Sequence, residues 1–172
     1  MTAAAAGAGR TTVSRRRGLP PVLAPDARVL ILGSFPSEAS LAAREYYAHP
    51  RNHFWPILGE LVGEPLAELS YHDRIARVKA HRIAIWDTIV ACEREGSLDA
   101  AIRNAERGEI RRVRRVGRGI GGVCFNGRTA ARAEPAWRGA GYETIVMPST
   151  SPAYTLPLAA KLSAWRRLID YL

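Results

Sequence analysis

The sequence contains little cysteine and almost no lysine. Two cysteines among 172 residues exclude a disulfide-stapled scaffold and a four-cysteine zinc or iron–sulfur site. No apolar run reaches the length of a transmembrane helix, and no glycine-rich loop matches a nucleotide-binding pattern. We therefore expect no metal, no cofactor and no membrane partner, and a cytoplasmic location.

Arginine carries nearly all of the positive charge. Lys and Arg total 25 against 16 acidic residues, so the net charge is +9, and only Lys79 and Lys161 are lysines. The excess lies in two segments, residues 1–17 with a net charge of +4 and residues 103–118 with +5. A nucleic-acid partner explains this balance, and the codon bias of a GC-rich genome explains it equally well.

Hydropathy patterning predicts one α/β domain over residues 26–172, preceded by a flexible basic tail over residues 1–25. The tail is small, basic and interrupted by proline. Short apolar runs alternate with helical patterns, which predicts a three-layer α/β/α fold with a short central four-stranded parallel sheet. The predicted strands are 28–33, 83–86, 122–125 and 142–147, and the predicted helices are 54–62, 70–80, 97–102, 109–117, 128–138 and 157–171.

A polar segment follows each predicted strand. In parallel sheets, ligands bind beyond the carboxyl ends of the strands, so these segments are expected to meet in one site. The arginine-rich segment 103–118 is predicted to lie on a helix leading into the third strand, at the edge of the sheet opposite that site. The four polar segments are 33–55, 87–96, 126–128 and 148–156.

The densest of these segments reads YYAHPRNHFW over residues 46–55. Aromatic rings interleaved with hydrogen-bonding groups suit a planar heterocycle, which needs stacking on its face and hydrogen bonds at its edge. We interpret Tyr47 and Asn52 as functional, and Phe54 and Trp55 as core residues of the next helix.

Two further segments offer polar groups of more ambiguous use. Asp87 ends the second predicted strand and could accept a hydrogen bond from a ring N–H, as at N1 of hypoxanthine or guanine, or it could be an ordinary turn aspartate. The segment MPSTSPAY over residues 147–154 places three hydroxyls between prolines. These hydroxyls could donate to phosphate oxygens, or the segment could be a simple Ser/Pro turn.

Taken together, these motifs resemble the uracil-DNA glycosylase superfamily. GSFPS followed by YYAHPRNHFW is similar to motif one of the mismatch-specific enzymes, and MPSTSPAY stands in the place of motif two. The pattern is most similar to the hypoxanthine-DNA glycosylases, often called family six, over residues 18–172. Phe35 matches the position where the wider superfamily has a water-activating Asn or Asp, and Ser149 matches its leaving-group stabiliser.

The resemblance implies a DNA glycosylase that flips out a deaminated base, most simply hypoxanthine, and hydrolyses its N-glycosidic bond. Neither lysine lies in a motif, which favours a monofunctional glycosylase over a Schiff-base lyase, and we expect a monomer. It implies a catalytic role for Asn52 and leaves His49, His53 and Asp87 open as proton acceptors, while Tyr154 or Leu156 is the candidate wedge in the vacated stack. The implied base-binding residues are Gly33, Ser34, Phe35, Tyr47, Asp87 and Asn126, and the implied DNA-binding residues are Arg51, Arg128, Ser149, Thr150, Ser151 and Tyr154.

Three alternatives remain open on the sequence. The enzyme could excise uracil or xanthine instead of hypoxanthine. The chain could bind damaged or single-stranded DNA without cleaving it, since Phe35 and Ser149 replace the usual catalytic groups. It could also be an RNA-binding α/β protein with a basic arm, although no RRM- or KH-like signature is present.

Overall fold

The computed structural model describes residues 13–172. Within this range the strands, numbered in chain order, are Arg15–Arg17 (β1), Val29–Gly33 (β2), Ile83–Asp87 (β3), Ile89–Glu93 (β4), Arg103–Arg107 (β5), Gly122–Asn126 (β6) and Glu143–Met147 (β7). The α-helices are Glu38–Ala43 (α1), Phe54–Val62 (α2), Tyr71–Ala80 (α3), Ile110–Val116 (α4), Arg128–Ala131 (α5), Glu134–Gly139 (α6) and Leu158–Trp165 (α7). Short 3₁₀ turns cover Leu66–Glu68, Asp99–Ala101 and Arg166–Tyr171.

Four strands form a parallel sheet in the order β3-β2-β6-β7. The strands β2, β3 and β6 are buried along their whole length, as near-continuous apolar runs in parallel sheets usually are. Helices cover both faces, so the predicted α/β class and its central four-stranded parallel sheet are confirmed.

Alternate side chains of β2 face two separate cores, because successive residues of a strand point to opposite faces of the sheet. Val29 and Ile31 pack with residues of α2, α3 and α7. Leu30 and Leu32 pack with residues of α4, α5 and α6 on the other face. The sheet is therefore the middle of three layers, and its carboxyl edge is left to the connecting segments.

Residues 13–25 correct the predicted tail. The strand β1 pairs antiparallel with β4, and Val22 exchanges two backbone hydrogen bonds with Ile85, at 2.8 and 2.9 Å, along the free edge of β3. This contact satisfies edge groups that would otherwise be unpaired. The expectation of a flexible tail is wrong for residues 13–25, and its remainder, residues 1–12, lies outside the described residues.

A second sheet, antiparallel and in the order β1-β4-β5, was not predicted. β4 begins two residues after β3 ends, and Gly108 donates its backbone N–H to the Thr88 carbonyl at 3.0 Å. The antiparallel sheet therefore continues from the carboxyl edge of the parallel sheet. Part of the arginine-rich segment, residues 103–107, is a strand on this side of the molecule, which corrects its predicted placement on a helix opposite the site.

Three smaller differences concern the helices. The predicted helix 128–138 is divided into α5 and α6. Pro135 lacks the N–H that a continuous helix would need, and it stands in the first turn of α6, where no such N–H is required. The predicted helix 157–171 changes to a 3₁₀ turn after Trp165. Helix α1 forms within the long segment after β2, where Ser37 caps it by accepting from the Ser40 N–H.

Candidate active site

A cavity of about 730 Å³ lies at the carboxyl edge of the parallel sheet. The segments that follow β2, β3, β6 and β7 all contribute to it, as the strand-end rule predicts. Its lining includes most of the residues singled out in the sequence: Gly33, Ser34, Phe35, Tyr47, Asn52, Asp87, Asn126, Arg128, Ser149, Thr150, Ser151 and Tyr154.

The floor of the cavity is the pair Gly33 and Asp87, which are partners in the parallel register of β2 and β3. A Cβ atom on Gly33 would lie 2.4 Å from Asp87 Oδ1 and 3.2 Å from Tyr47 Oη. Only glycine therefore lets the carboxyl group and the phenol converge at this point.

The Asp87 carboxyl group is 5% exposed, and its Oδ2 atom has no hydrogen-bond partner among the described residues. Burial raises the pKa of Asp87 to about 8, the charge of Asp99 adds to this effect, and Arg94 partly opposes it. At neutral pH the group is therefore mainly a protonated acid, able to donate as well as to accept a hydrogen bond.

Tyr47 forms one wall. Its backbone is left-handed, with φ of 55°, and its ring stacks on Phe54 with centroids 3.8 Å apart and planes 19° apart. Burial raises the pKa of the Tyr47 phenol well above its usual value, with a further contribution from Asp87, so the ring stays neutral. Since Phe54 covers one ring face, the opposite face is the one on which a flat ligand can stack.

Asn52 lies two residues before the first residue of α2 and lines the cavity. Its Oδ1 atom accepts from the Phe54 backbone N–H at 2.9 Å, while its own N–H donates to the His49 carbonyl at 2.9 Å. The side-chain carbonyl is thus used to hold the helix entrance, and the NH₂ group is the part that remains to donate into the cavity.

Thr150 and Asn126 form a closed pair between β6 and the segment after β7. Asn126 Nδ2 donates to Thr150 Oγ1 and Asn126 Oδ1 accepts from the Thr150 N–H, both at 2.9 Å. Thr150 is 0% exposed, and its carbonyl accepts from the His53 N–H at 3.0 Å. Thr150 is thus buried and bonded within the protein, where it fixes the hydroxyl segment in place, and its part in DNA binding stays a prediction.

The neighbouring serines are organised differently. Ser149 Oγ accepts from the Ser151 N–H and Ser151 Oγ accepts from the Ala153 N–H, both at 3.2 Å. Because both oxygens act as acceptors in local turns, both hydroxyl protons are left to donate. Lys161 supports the segment from below by donating to the Ser151 carbonyl at 3.2 Å.

A family model for the uracil DNA glycosylase superfamily matches residues 20–170 of this chain. The chain belongs to that superfamily. Two similar proteins are named hypoxanthine DNA glycosylase: one from Methanosarcina acetivorans, 41% identical over 138 residues (80% of this chain, 87% of the relative), and one from Methanosarcina barkeri, 35% identical over 151 residues (88% and 96%). The solution NMR structure of a candidate uracil DNA glycosylase from M. acetivorans superposes with a TM-score of 0.80 at 36% identity, covering 91% of this chain and 99% of that one.

Membership of the uracil DNA glycosylase superfamily confirms the resemblance drawn from the motifs, but two implied residues do not reach the cavity. His49 and Arg51 are absent from its lining. His49 Nδ1 instead accepts from the Arg51 N–H at 3.1 Å, so the imidazole stabilises the turn before α2. The catalytic role implied for His49 and the DNA-binding role implied for Arg51 stay predictions, and neither is carried by the cavity lining.

The other two open suggestions, His53 and Leu156, also lie outside the lining. His53 is the N-cap residue of α2, and its Nδ1 atom is buried without a partner among the described residues. Burial lowers the pKa of His53, and the nearby charge of Lys161 lowers it further. The imidazole is therefore neutral at physiological pH.

The sequence did not predict that residues 97–99 belong to the site. Ser97, Leu98 and Asp99, in the connection between β4 and β5, line the cavity. Asp99 Oδ1 accepts from Ser34 Oγ at 2.7 Å, which places a second carboxyl group in the site. Nothing local in the sequence marks this segment, because its position depends on the antiparallel sheet.

Two absences apply to the described residues 13–172 alone. No group of three or more His, Cys, Asp or Glu side chains in this range is arranged to hold a metal ion. No helix in the same range is long and apolar enough to cross a membrane.

Proposed function

We propose that this DNA glycosylase removes hypoxanthine from DNA by hydrolysing the bond between C1′ of deoxyribose and N9 of the base. The observation that carries the proposal is the cavity at the carboxyl edge of the sheet, where a buried, protonated Asp87 stands beside the stacking face of Tyr47. The two Methanosarcina relatives named hypoxanthine DNA glycosylase support the choice of base.

Asp87 is suited to the edge that deamination creates. Deamination of adenine gives hypoxanthine, whose edge carries an N1–H donor beside a C6 carbonyl acceptor. A protonated carboxyl group matches this edge, because its carbonyl accepts from N1–H and its hydroxyl donates to the C6 carbonyl. The free Oδ2 atom of Asp87 supports the assignment, because an unpartnered buried polar atom costs free energy until a ligand satisfies it.

Tyr47 and Asn52 act on the flipped base from two sides. The base must leave the duplex before its glycosidic bond can be reached, at a cost of a few kcal/mol that is smallest for a mispaired base. In our proposal, stacking on Tyr47 offsets part of this cost. Cleavage puts negative charge on the departing purine, and the NH₂ group of Asn52 donates to that charge, which is electrostatic stabilisation of the transition state.

The rim of the cavity is assigned to the DNA backbone. The free hydroxyl protons of Ser149 and Ser151 can donate to phosphate oxygens, and Arg128 is an exposed cation in the same lining. Tyr154 is 48% exposed at the rim, which suits a side chain that fills the gap left in the duplex. Gly33, Ser34 and Phe35 supply the backbone surface on which the base rests.

In our proposal the enzyme hydrolyses the glycosidic bond and does not cut the DNA strand. A glycosylase that also cuts the strand needs an amine nucleophile at C1′, and neither Lys79 nor Lys161 lines the cavity. In our proposal the enzyme acts as a monomer, because all four strand-end segments that line the cavity belong to one chain, and it acts on DNA in the cytoplasm.

A panel of duplexes tests the proposal. Each duplex carries one hypoxanthine, uracil, xanthine or adenine in the same sequence, and abasic sites are scored by alkali cleavage under single-turnover conditions. We expect fastest release of hypoxanthine and no strand cleavage before alkali treatment. Faster release of uracil or xanthine would move the chain to a different substrate in the same superfamily, and tight, salt-sensitive binding without any abasic product would make it a DNA-binding protein.

A further inference from the structure

Hydrolysis of the glycosidic bond requires a group that takes a proton from water, and the residues considered so far do not provide one. Asp87 is buried and holds its own proton at neutral pH. His49 and His53 lie outside the cavity lining. Asn52 is an amide, which cannot act as a base near pH 7. A proton acceptor must therefore come from elsewhere in the lining.

Asp99 is the other carboxyl group of the cavity. It stands at the start of a 3₁₀ turn between β4 and β5 and is exposed to solvent, in contrast to Asp87. Ser34 Oγ donates to Asp99 Oδ1 at 2.7 Å. This contact uses only one carboxylate oxygen, so Oδ2 remains to accept a proton from a water molecule in the cavity.

The segment that carries Asp99 is tied to the turn after β2 at two further points. The Glu38 N–H donates to Ser97 Oγ at 2.9 Å. Arg94 is 1% exposed, donates from Nη2 to the Pro36 carbonyl at 2.5 Å, and lies over the Phe35 ring at 4.9 Å. These links hold the acidic segment and the turn as one unit, so Asp99 has a fixed place at the mouth of the cavity.

We propose that Asp99 is the general base of the reaction and that Ser34 is the positioning residue that orients it. The inference rests on the proposed glycosylase function. Asp99 Oδ2 takes a proton from water while the water oxygen bonds to C1′, and the electron pair of the C1′–N9 bond leaves with the purine. The purine then takes a proton from solvent, and Asp99 returns its proton to solvent. Asp99 thereby supplies, from another part of the chain, the polar group that Phe35 lacks.

The test is the single-turnover rate of base release by Asp99→Asn, which keeps the shape and the acceptor for Ser34 but removes the base. A general base contributes about 10²–10⁴-fold, so we expect a fall of at least about 100-fold. Binding to a duplex containing 2′-fluoro-deoxyinosine, which resists cleavage, should be unchanged. The control is Glu95→Gln, an acid of the same segment that does not line the cavity, which should keep the wild-type rate.

Two further variants separate chemistry from structure. Asp99→Ala leaves space for a small anion, and sodium azide should restore release of the base and leave an azide on C1′, which mass spectrometry detects. Ser34→Ala should lower the rate less than Asp99→Asn without changing the 2′-fluoro-deoxyinosine binding constant. A rate for Asp99→Asn within about threefold of wild type would overturn the proposal, as would a loss of rate fully explained by weaker binding.

Failure of the proposed function gives a different pattern. If wild type releases uracil or xanthine but not hypoxanthine, the choice of base is wrong, and the same variants test Asp99 on the base that is released, because the attacking water does not depend on it. If wild type releases no base from any duplex, both proposals fall together. Loss of rate in Asp99→Asn on an active wild type supports Asp99 alone.

Discussion

The parallel sheet and the antiparallel sheet both contribute to the cavity but hold their contributions in place by different forces. The strands β2, β3 and β6 are buried throughout, and the floor residues Gly33 and Asp87 and the lining residue Asn126 stand at their carboxyl ends. In contrast, β5 is exposed along its whole length. The floor is thus positioned by packed apolar strands, where a small shift would cost many contacts.

On the antiparallel side, polar links supplement a small buried apolar cluster of Phe35, Ile89 and Cys92. Asp99 is held through Ser34, and its segment is anchored by the buried guanidinium of Arg94. Burying a charge with unpartnered N–H groups is costly, and two Arg94 nitrogens, Nε and Nη1, have no partner among the described residues. In our proposals, base recognition is therefore built on the rigid sheet, whereas the water-activating group lies on the region that is cheaper to disturb.

A large effect is expected at Asn52, on the side of the parallel sheet. Asn52→Asp keeps the acceptor for the Phe54 N–H but loses the NH₂ donor, so α2 is preserved while the departing purine is no longer stabilised. Loss of one such donor costs about 10²–10³-fold in rate, measured as single-turnover release of hypoxanthine.

The control for this variant is His49→Ala, because His49 was an implied catalytic residue and lies outside the lining. We expect it to lower the rate by less than about tenfold. An effect of His49→Ala as large as that of Asn52→Asp would show that the turn before α2, and not the amide, carries the catalytic contribution.

The next effect is a pH dependence of the free energy of unfolding that comes from Asp87 in the buried floor. Between its unfolded pKa near 4 and its folded pKa of about 8, native Asp87 binds one more proton than the unfolded chain. The free energy of unfolding therefore falls by about 1.4 kcal/mol per pH unit as pH rises through this window, and levels off above it. Asp87→Asn removes this pH dependence. The free energy of unfolding of the variant minus that of wild type should therefore increase by about 2 kcal/mol between pH 5.5 and pH 7.

Urea denaturation at several pH values measures this difference. Glu95→Gln, which changes an exposed acid on the antiparallel side, should leave the pH dependence of wild type unaltered. A constant difference between Asp87→Asn and wild type across the pH range would mean that Asp87 is ionised in the folded protein, and it would remove the hydrogen-bond donor from the proposed reading of hypoxanthine.

The sequence predicts the floor of the cavity well because local signals determine it. Gly33 and Asp87 each end a short apolar run, and the carboxyl ends of parallel strands meet at one edge. Thr150 shows the limit of such reasoning, since its hydroxyl type suggested a phosphate ligand whereas its partners, Asn126 and the His53 N–H, are distant in sequence. Composition identifies donors but does not reveal whether the fold has already used them.

Asp99 and residues 13–25 could not be placed from the sequence for a related reason. Strand β1 consists of three arginines, a pattern with no apolar alternation, and its pairing with β4 is a contact between segments about 75 residues apart. Asp99 reaches the cavity only because β4 and β5 turn back over the end of the parallel sheet. Both placements depend on long-range pairing that no short window contains.

The smallest effect separates two truncations at the start of the chain. Removing residues 1–12 leaves β1 intact, so the melting temperature and the rate of base release should match wild type. Removing residues 1–17 deletes the strand, its pairing with β4, and the ion pairs Arg16–Glu38 and Arg15–Glu106, both at 2.9 Å. Because these ion pairs are partly exposed and each contributes little, we expect the longer truncation to cost about 1 kcal/mol, or about 2–4 °C. Thermal melting measures this loss of stability.

The longer truncation should also slow base release by a few-fold, because β1 supports β4 and β4 leads to Asp99. Single-turnover release of hypoxanthine at low salt measures this rate. Equal rates for the two truncations would show that the polar links through Ser34 and Arg94 hold the acidic segment without the sheet.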